Sequence, residues 1–152
     1  MKIIVAGAGE IGSHLAKMLS MEFHEITVIS PNEEDLERIS SESDIVTVEG
    51  HPASIETLQK AGVQNADLFI AVNPDNEQDI NIVSSILAKK LGAKKVTARI
   101  NNDEYQKNEN RILFTDLGID SLFYPEKIAA NEIVNLLKQN TASEFMNYSH
   151  GK

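Results

Sequence analysis

The strand-like run Lys2-Ile3-Ile4-Val5-Ala6 passes directly into Gly7-Ala8-Gly9-Glu10-Ile11-Gly12, and a helical pattern begins inside that turn. A strand that feeds a helix through glycines spaced G-x-G-x-x-G opens a βαβ unit. The first glycine permits the tight turn, the second lets backbone approach a pyrophosphate, and the third lets helix and strand pack closely. The first amides of the helix and the positive end of its dipole then face outward, where phosphate is favoured. With the right strand before it and the right helix after it, this motif points to dinucleotide binding above the competing reading of a merely tight turn.

The rest of the chain repeats the same grammar, short β-branched runs alternating with longer helical patterns. Strands are predicted at Lys2 to Ala6, Glu25 to Ile29, Asp44 to Val48, Asp67 to Ala71, Lys95 to Arg99 and Ile119 to Phe123. Their centres are nearly all apolar, as in strands buried on both faces. Helices are predicted at about Ile11 to Met21, Glu33 to Ser40, Ser54 to Lys60, Asp75 to Leu91, Asp103 to Leu117 and Glu126 to Gln139. The punctuation agrees: Asn32 can cap the second helix, Asp75 the fourth with Gln78 three residues on, and Gly92 stops the fourth. The expected fold is α/β, a Rossmann-like doubly wound parallel six-stranded sheet with helices on both faces.

With 152 residues, the chain has the usual size of one domain. Residues 1–140 are expected to form it. The segment 141–152 turns polar and loses helical periodicity, so it reads as a linker or the truncated start of a following region. Phe145 and Tyr148 within it suggest a covering surface beyond this chain.

Charge and composition narrow the function classes. Acidic residues outnumber basic ones 23 to 14, for a formal charge of -9. Such a surface repels nucleic-acid phosphates and anionic lipid headgroups, and no basic patch overrides it, so no nucleic-acid partner is expected. The absence of cysteine excludes disulfides and thiolate metal sites. Apolar runs fall far short of the roughly 20 residues of a membrane span, so direct membrane insertion is not expected. Met1 leads straight into a strand without a secretory pattern, and the simplest location is the cytoplasm.

Several single residues bear on the ligand. An NAD-binding fold calls for a carboxylate at the end of the second strand, to accept from the ribose hydroxyls. Ser30 occupies that place, followed by Glu33, Glu34 and Asp35. Glu34 and Asp35 read as a solvated first helical turn, and the serine leaves NADP or a mononucleotide open. Glu10 gains from the helix dipole, which is a sufficient structural reason for it, and it also disfavours a third phosphate nearby. His14, His24, His51 and His150 form no metal-like set, and His51 reads as a hydrogen-bonded structural imidazole. Ser54, Ser84 and Ser85 lack a nucleophile's setting, so no catalytic residue is assigned. Lys89, Lys90, Lys94 and Lys95 read as a solvated helix end.

Beyond the residues themselves, the chain resembles the N-terminal domain of Trk-type potassium-uptake regulators, the TrkA-N, KTN or RCK domain. The resemblance rests on the run Met1 to Gly12, on Glu49-Gly50-His51, on Ala71-Val72-Asn73-Pro74-Asp75-Asn76-Glu77, on Ala98-Arg99-Ile100, and on Tyr124-Pro125-Glu126 with Ala129-Ala130. It implies that Gly7, Ala8, Gly9, Glu10 and Ile11 wrap the pyrophosphate with Gly12 closing the turn, that Ser30 faces the ribose, and that Asn73 and Pro74 line the adenosine side. It further implies that Arg99 reaches the nucleotide; pairing with a carboxylate such as Glu77 is the competing reading of a cation there, compatible with the ligand role, which is the one expected. Gly50, His51 and Glu77 complete the candidate set at the same sheet edge. Two departures stand out: family members that bind NAD usually carry aspartate at the Ser30 position, and threonine or serine is common at Asn73.

The resulting expectation is a non-enzymatic regulatory domain that senses NAD(H) and gates a membrane potassium transporter. By resemblance it works as a homodimer within a larger ring, docked on the cytoplasmic side of a Trk-type transporter subunit. One alternative is an RCK domain reading ATP against ADP. Another is the cofactor half of an NAD-dependent oxidoreductase, for which the chain offers no substrate domain.

Overall fold

The computed structural model describes residues 1–42 and 44–125. Six strands among them form one parallel sheet: β1 (Lys2–Ala6), β2 (Glu25–Ser30), β3 (Val46–Glu49), β4 (Leu68–Ala71), β5 (Lys95–Arg99) and β6 (Ser121–Phe123). Their order is β3-β2-β1-β4-β5-β6. The helices α1 (Glu10–Ser20), α2 (Glu33–Glu42), α3 (Ile55–Lys60), α4 (Gln78–Leu91) and α5 (Asn108–Asp116) fall between consecutive strands. This is the doubly wound order, whose direction reverses between β1 and β4.

Period-two alternation sorts the core onto two faces. Ile3 and Val5 of β1, Val28 of β2 and Ile70 of β4 pack with Leu15, Ala16 and Leu19 of α1 and Leu36 and Ile39 of α2. Their neighbours Ile4, Ala6, Ile29, Phe69 and Ala71 point the other way, against Leu58 of α3 and Ala88 of α4. Each fully buried Ile, Leu or Val contributes about 1.5–3 kcal/mol relative to exposure, so both faces must be covered for these strands to exist.

Local chemistry sets the element boundaries. Asn32 caps α2 as predicted, its Oδ1 accepting from the Asp35 amide at 3.2 Å, and Ser54 caps α3 by accepting from the Thr57 amide at 3.2 Å. Gly92, at φ 127°, ends α4.

Three expectations need correction. The fourth helix starts at Gln78 rather than at Asp75. A 3-10 turn (Asp75–Glu77) precedes it, Glu77 is its N-cap residue without a side-chain cap, and the Gln78 side chain accepts from the Asn101 amide instead. The fifth helix is interrupted: Asp103–Gln106 is a 3-10 turn, Lys107 is extended, and α5 begins at Asn108. Asn102 and Asn110 stabilise that break by bonding the Glu104 amide and carbonyl. Finally, β3 is an edge strand starting at Val46, itself 63% exposed, rather than a strand buried on both faces from Asp44. The predicted helix Glu126 to Gln139 and the segment 141–152 lie outside the described residues.

At the amino edge of the sheet, acidic side chains tie strand starts together. Asp67 accepts from the Lys2 amide at 2.8 Å and from Lys94 Nζ at 3.0 Å. These bonds, the amide first and the lysine second, hold its carboxyl below the ordinary aspartate value. Asp120 ties β5 to α4, accepting from the Val96 amide at 2.8 Å and pairing with Lys89 at 3.1 Å.

Candidate functional site

The carboxyl ends of β1, β2, β4 and β5 converge at the opposite edge. Backbone bonds knit the loops leaving them: the Gly7 amide donates to the Ile29 carbonyl at 2.9 Å, the Val72 amide to Ala6 at 2.8 Å and the Gly50 amide to Ser30 at 3.0 Å. Gly7 has φ 128°, and a Cβ there would stand 2.8 Å from the Asn73 nitrogen, so the glycine turn lies directly against the loop after β4. Gly12 is equally constrained, because its Cβ would overlap the Gly7 carbonyl oxygen.

Gly9 differs. Its backbone is extended, with φ -71° and ψ -166°, a conformation open to most residues. A Cβ built on it meets nothing closer than Pro74 Cγ at 3.7 Å. No packing within the described residues requires glycine there, and the space is a cradle that a side chain would fill. Beside it α1 begins with no side-chain cap, and its internal bonds start with the Ser13 amide donating to the Gly9 carbonyl at 2.9 Å. The amides of Glu10, Ile11 and Gly12 therefore find no acceptor among the described residues, which is the arrangement that receives an anion. Glu10 is exposed in that first turn.

The predicted site residues divide by what their side chains do. Ser30 is 4% exposed, and its Oγ accepts from the Asn32 amide at 3.1 Å, which leaves the hydroxyl its proton and a second lone pair. Asn73 is also 4% exposed, and its side-chain amide donates inward to Asn81 at 2.9 Å. Pro74 is exposed beside Gly9, and Glu77 is half-buried. The Arg99 guanidinium reaches the Asn73 carbonyl at a long 3.5 Å, which puts it over the same loop. Gly50 is required by close approach to Thr57 of α3. His51 is exposed, and its Nδ1 accepts from the Ala53 amide at 3.0 Å, a turn-stabilising role.

Two residues outside the predicted set belong to this edge. Glu49 ends β3 in register with Ser30 and is exposed. With Pro31, Asn32, Glu33 and Glu34 it lines an open groove of about 550 Å³ next to Ser30. A carboxylate is thus present where the β2 position lacks one, supplied by the adjacent strand. Only strand register could reveal it. The other is Asn81, fully buried, whose side chain holds the loops after β4 and β5. In sequence it is one polar residue in an amphipathic helix, and nothing marks it.

The strand order with its reversal between β1 and β4, the glycine turn at that reversal and the free amides of α1 define a doubly wound domain of the Rossmann class. The chain belongs to the TrkA-N domain family, whose model matches residues 3–125. It is 38% identical over its whole length to a Trk system potassium uptake protein TrkA homolog from Archaeoglobus fulgidus, and it spans 34% of that relative's length. In fold it is similar to the TrkA-N domain of the inner membrane protein ybaL from Escherichia coli, with a TM-score of 0.69, 20% identity, and coverage of 90% of this chain and 96% of that one. It is also similar to the GsuK channel bound to NAD, with a TM-score of 0.65 and 17% identity over 80% of this chain and 21% of that one. GsuK has also been solved bound to ADP, and there the TM-score is 0.65 at 17% identity over 81% of this chain and 31% of that one. Among the described residues no helix is long and apolar enough to cross a membrane.

Proposed function

We propose that this domain is the sensing part of a potassium-uptake regulator and that it binds NAD(H) across the carboxyl ends of β1, β2, β4 and β5. The observation that carries the reading is Gly9, a glycine with no structural requirement at the mouth of a helix whose first amides lack acceptors. In this reading the Gly7 to Gly12 turn receives the pyrophosphate, Ser30 and Glu49 face the adenosine ribose, and Pro74 and Arg99 border the nucleotide from the β4 and β5 side. Arg99 supplies a positive charge in a chain of net charge -9, which favours the approach of a diphosphate. Membership of the TrkA-N family and the name of the Archaeoglobus relative support the potassium assignment.

A bound dinucleotide supplies no chemistry here: its binding free energy is the signal. A ligand shifts a conformational equilibrium only by its difference in affinity for the two states. As the resemblance to Trk-type regulators implies, the domain in this reading acts as a homodimer within a larger ring on the cytoplasmic side of a Trk-type membrane transporter, where that shift changes potassium flux.

A second reading, ADP or ATP in the same groove, is favoured by the ADP-bound GsuK neighbour. A titration of the purified protein with NADH, NAD, NADPH, ATP and ADP, read as direct binding and as thermal shift, separates the two. A ligand at 100 times its Kd stabilises the native state by about 2.7 kcal/mol. Preference for NADH or NAD supports the main reading. Preference for ADP or ATP keeps the site and replaces the signal, and no binding of any nucleotide removes both.

A further inference from the structure

The fully buried amide of Asn81 sits in α4, directly behind the loops that leave β4 and β5. A carboxamide has two acceptor positions and two donor hydrogens, and here every one is used. Its Oδ1 accepts from the Asn73 amide at 2.8 Å and from Asn73 Nδ2 at 2.9 Å. Its Nδ2 donates to the Asn73 carbonyl at 3.1 Å and to the Arg99 carbonyl at 3.1 Å. One side chain thus fixes both backbone polar groups of Asn73, the Asn73 side chain, and the carbonyl of Arg99. One turn earlier on the same helix, Gln78 Oε1 accepts from the Asn101 amide at 2.9 Å, so α4 holds the β5 exit at a second point.

The ladder between β4 and β5 ends at the Ala71–Ala98 pair. Beyond it the backbone polar groups of the two exits still need partners, and the Asn81 side chain supplies them. A buried polar group costs about 1–3 kcal/mol when left unpaired. A saturated amide is therefore satisfied in one arrangement of the two loops and penalised in others.

We propose that Asn81 is a positioning residue for nucleotide binding: it sets the placement of Asn73 and Arg99 relative to the glycine turn without touching the ligand itself. The inference rests on the nucleotide reading above. At 0% exposure Asn81 offers no surface to a ligand, so any effect it has on affinity travels through the two residues it holds.

The test measures NADH affinity directly for the wild type and for Asn81→Ala, Arg99→Ala and the double variant, at a temperature where each is folded. Thr97→Val serves as the control, since Thr97 is a buried hydroxyl bonded to the Ser121 carbonyl at 3.1 Å, two strand positions before Arg99. Asn81→Ala should weaken NADH about tenfold or more, and in the Arg99→Ala background the same change should cost distinctly less, because the route through the Arg99 side chain is already gone and only the one through Asn73 is left. Thr97→Val should lower the melting temperature with affinity within about twofold of wild type. A folded Asn81→Ala protein that binds NADH like the wild type, or losses that simply add, would overturn the proposal while leaving the nucleotide reading intact. If instead the wild type binds no nucleotide, the underlying reading falls and the proposal with it.

Should Asn81→Ala fail to fold, the unmodified protein still decides the matter. The side-chain amide resonances of Asn81 should move when NADH saturates the site. Unchanged resonances beside shifted Gly9 and Ile11 amides would overturn the proposal.

Discussion

At Gly12 an added Cβ would overlap the Gly7 carbonyl oxygen, while at Gly9 it would approach nothing within 3.7 Å. The two glycines therefore predict opposite phenotypes. Gly9→Val should leave the melting temperature close to wild type and abolish nucleotide binding, because the side chain fills the space proposed for the pyrophosphate. Gly12→Ala should instead cost about 1–3 kcal/mol or more of stability by overpacking the α1–β1 contact, measurable by urea unfolding. Normal nucleotide affinity in Gly9→Val would reduce the motif to a turn. A third residue-scale test concerns Phe23, which follows α1 with φ 66° and 97% exposure. That left-handed conformation suits glycine and strains a bulky side chain. Phe23→Gly should raise stability by a few tenths to about 1 kcal/mol, and a lower melting temperature would refute the strain argument.

Elements respond through their ends. Asn32 is the only side chain among the described residues that bonds the first amides of α2, and that helix starts with Glu33, Glu34 and Asp35 near its positive pole. Asn32→Ala should lower stability by about 1 kcal/mol, visible as a shifted unfolding midpoint with an unchanged denaturant slope. Because α2 backs the groove beside Ser30, the same variant tests whether that groove needs an ordered α2. α4 shows why its start resisted sequence reading. Asp75 and Gln78 have the right spacing for a capping box, yet Gln78 is engaged by Asn101 across the sheet edge. A local hydrogen bond and a long-range one competed for the same amide, and the long-range one prevailed.

At the scale of the molecule the two edges of the sheet are held differently. Carboxylates tie the amino edge, with Asp67 bonded to Lys2 and Lys94 and Asp120 to Val96 and Lys89, whereas neutral amides of α4 tie the carboxyl edge. Asp67 makes the amino edge acid-sensitive. The Asp67 pKa is lowered in the folded state, so its contribution is complete above the unfolded value of about 3.9 and is lost as pH falls through the folded value. Asp67→Asn should be less stable than wild type at neutral pH, and the gap should shrink in strong acid. A gap independent of pH would show that the charge contributes nothing.

The glycine turn, the six strands, the helix caps at Asn32 and Gly92 and the doubly wound class were all legible in the sequence, because each depends on neighbours within a few residues or on the periodicity of one element. The edge exposure of Val46, the arrival of Glu49 beside Ser30 and the closure of Asn81 over Asn73 and Arg99 were not. Each is a relation between segments far apart in the chain, fixed by strand order, register and the direction of a helix face. Local propensity and patterning therefore determined the elements and the class of fold, while only tertiary structure decided which side chains meet at the carboxyl edge, since parallel pairing brings together residues that the sequence keeps apart.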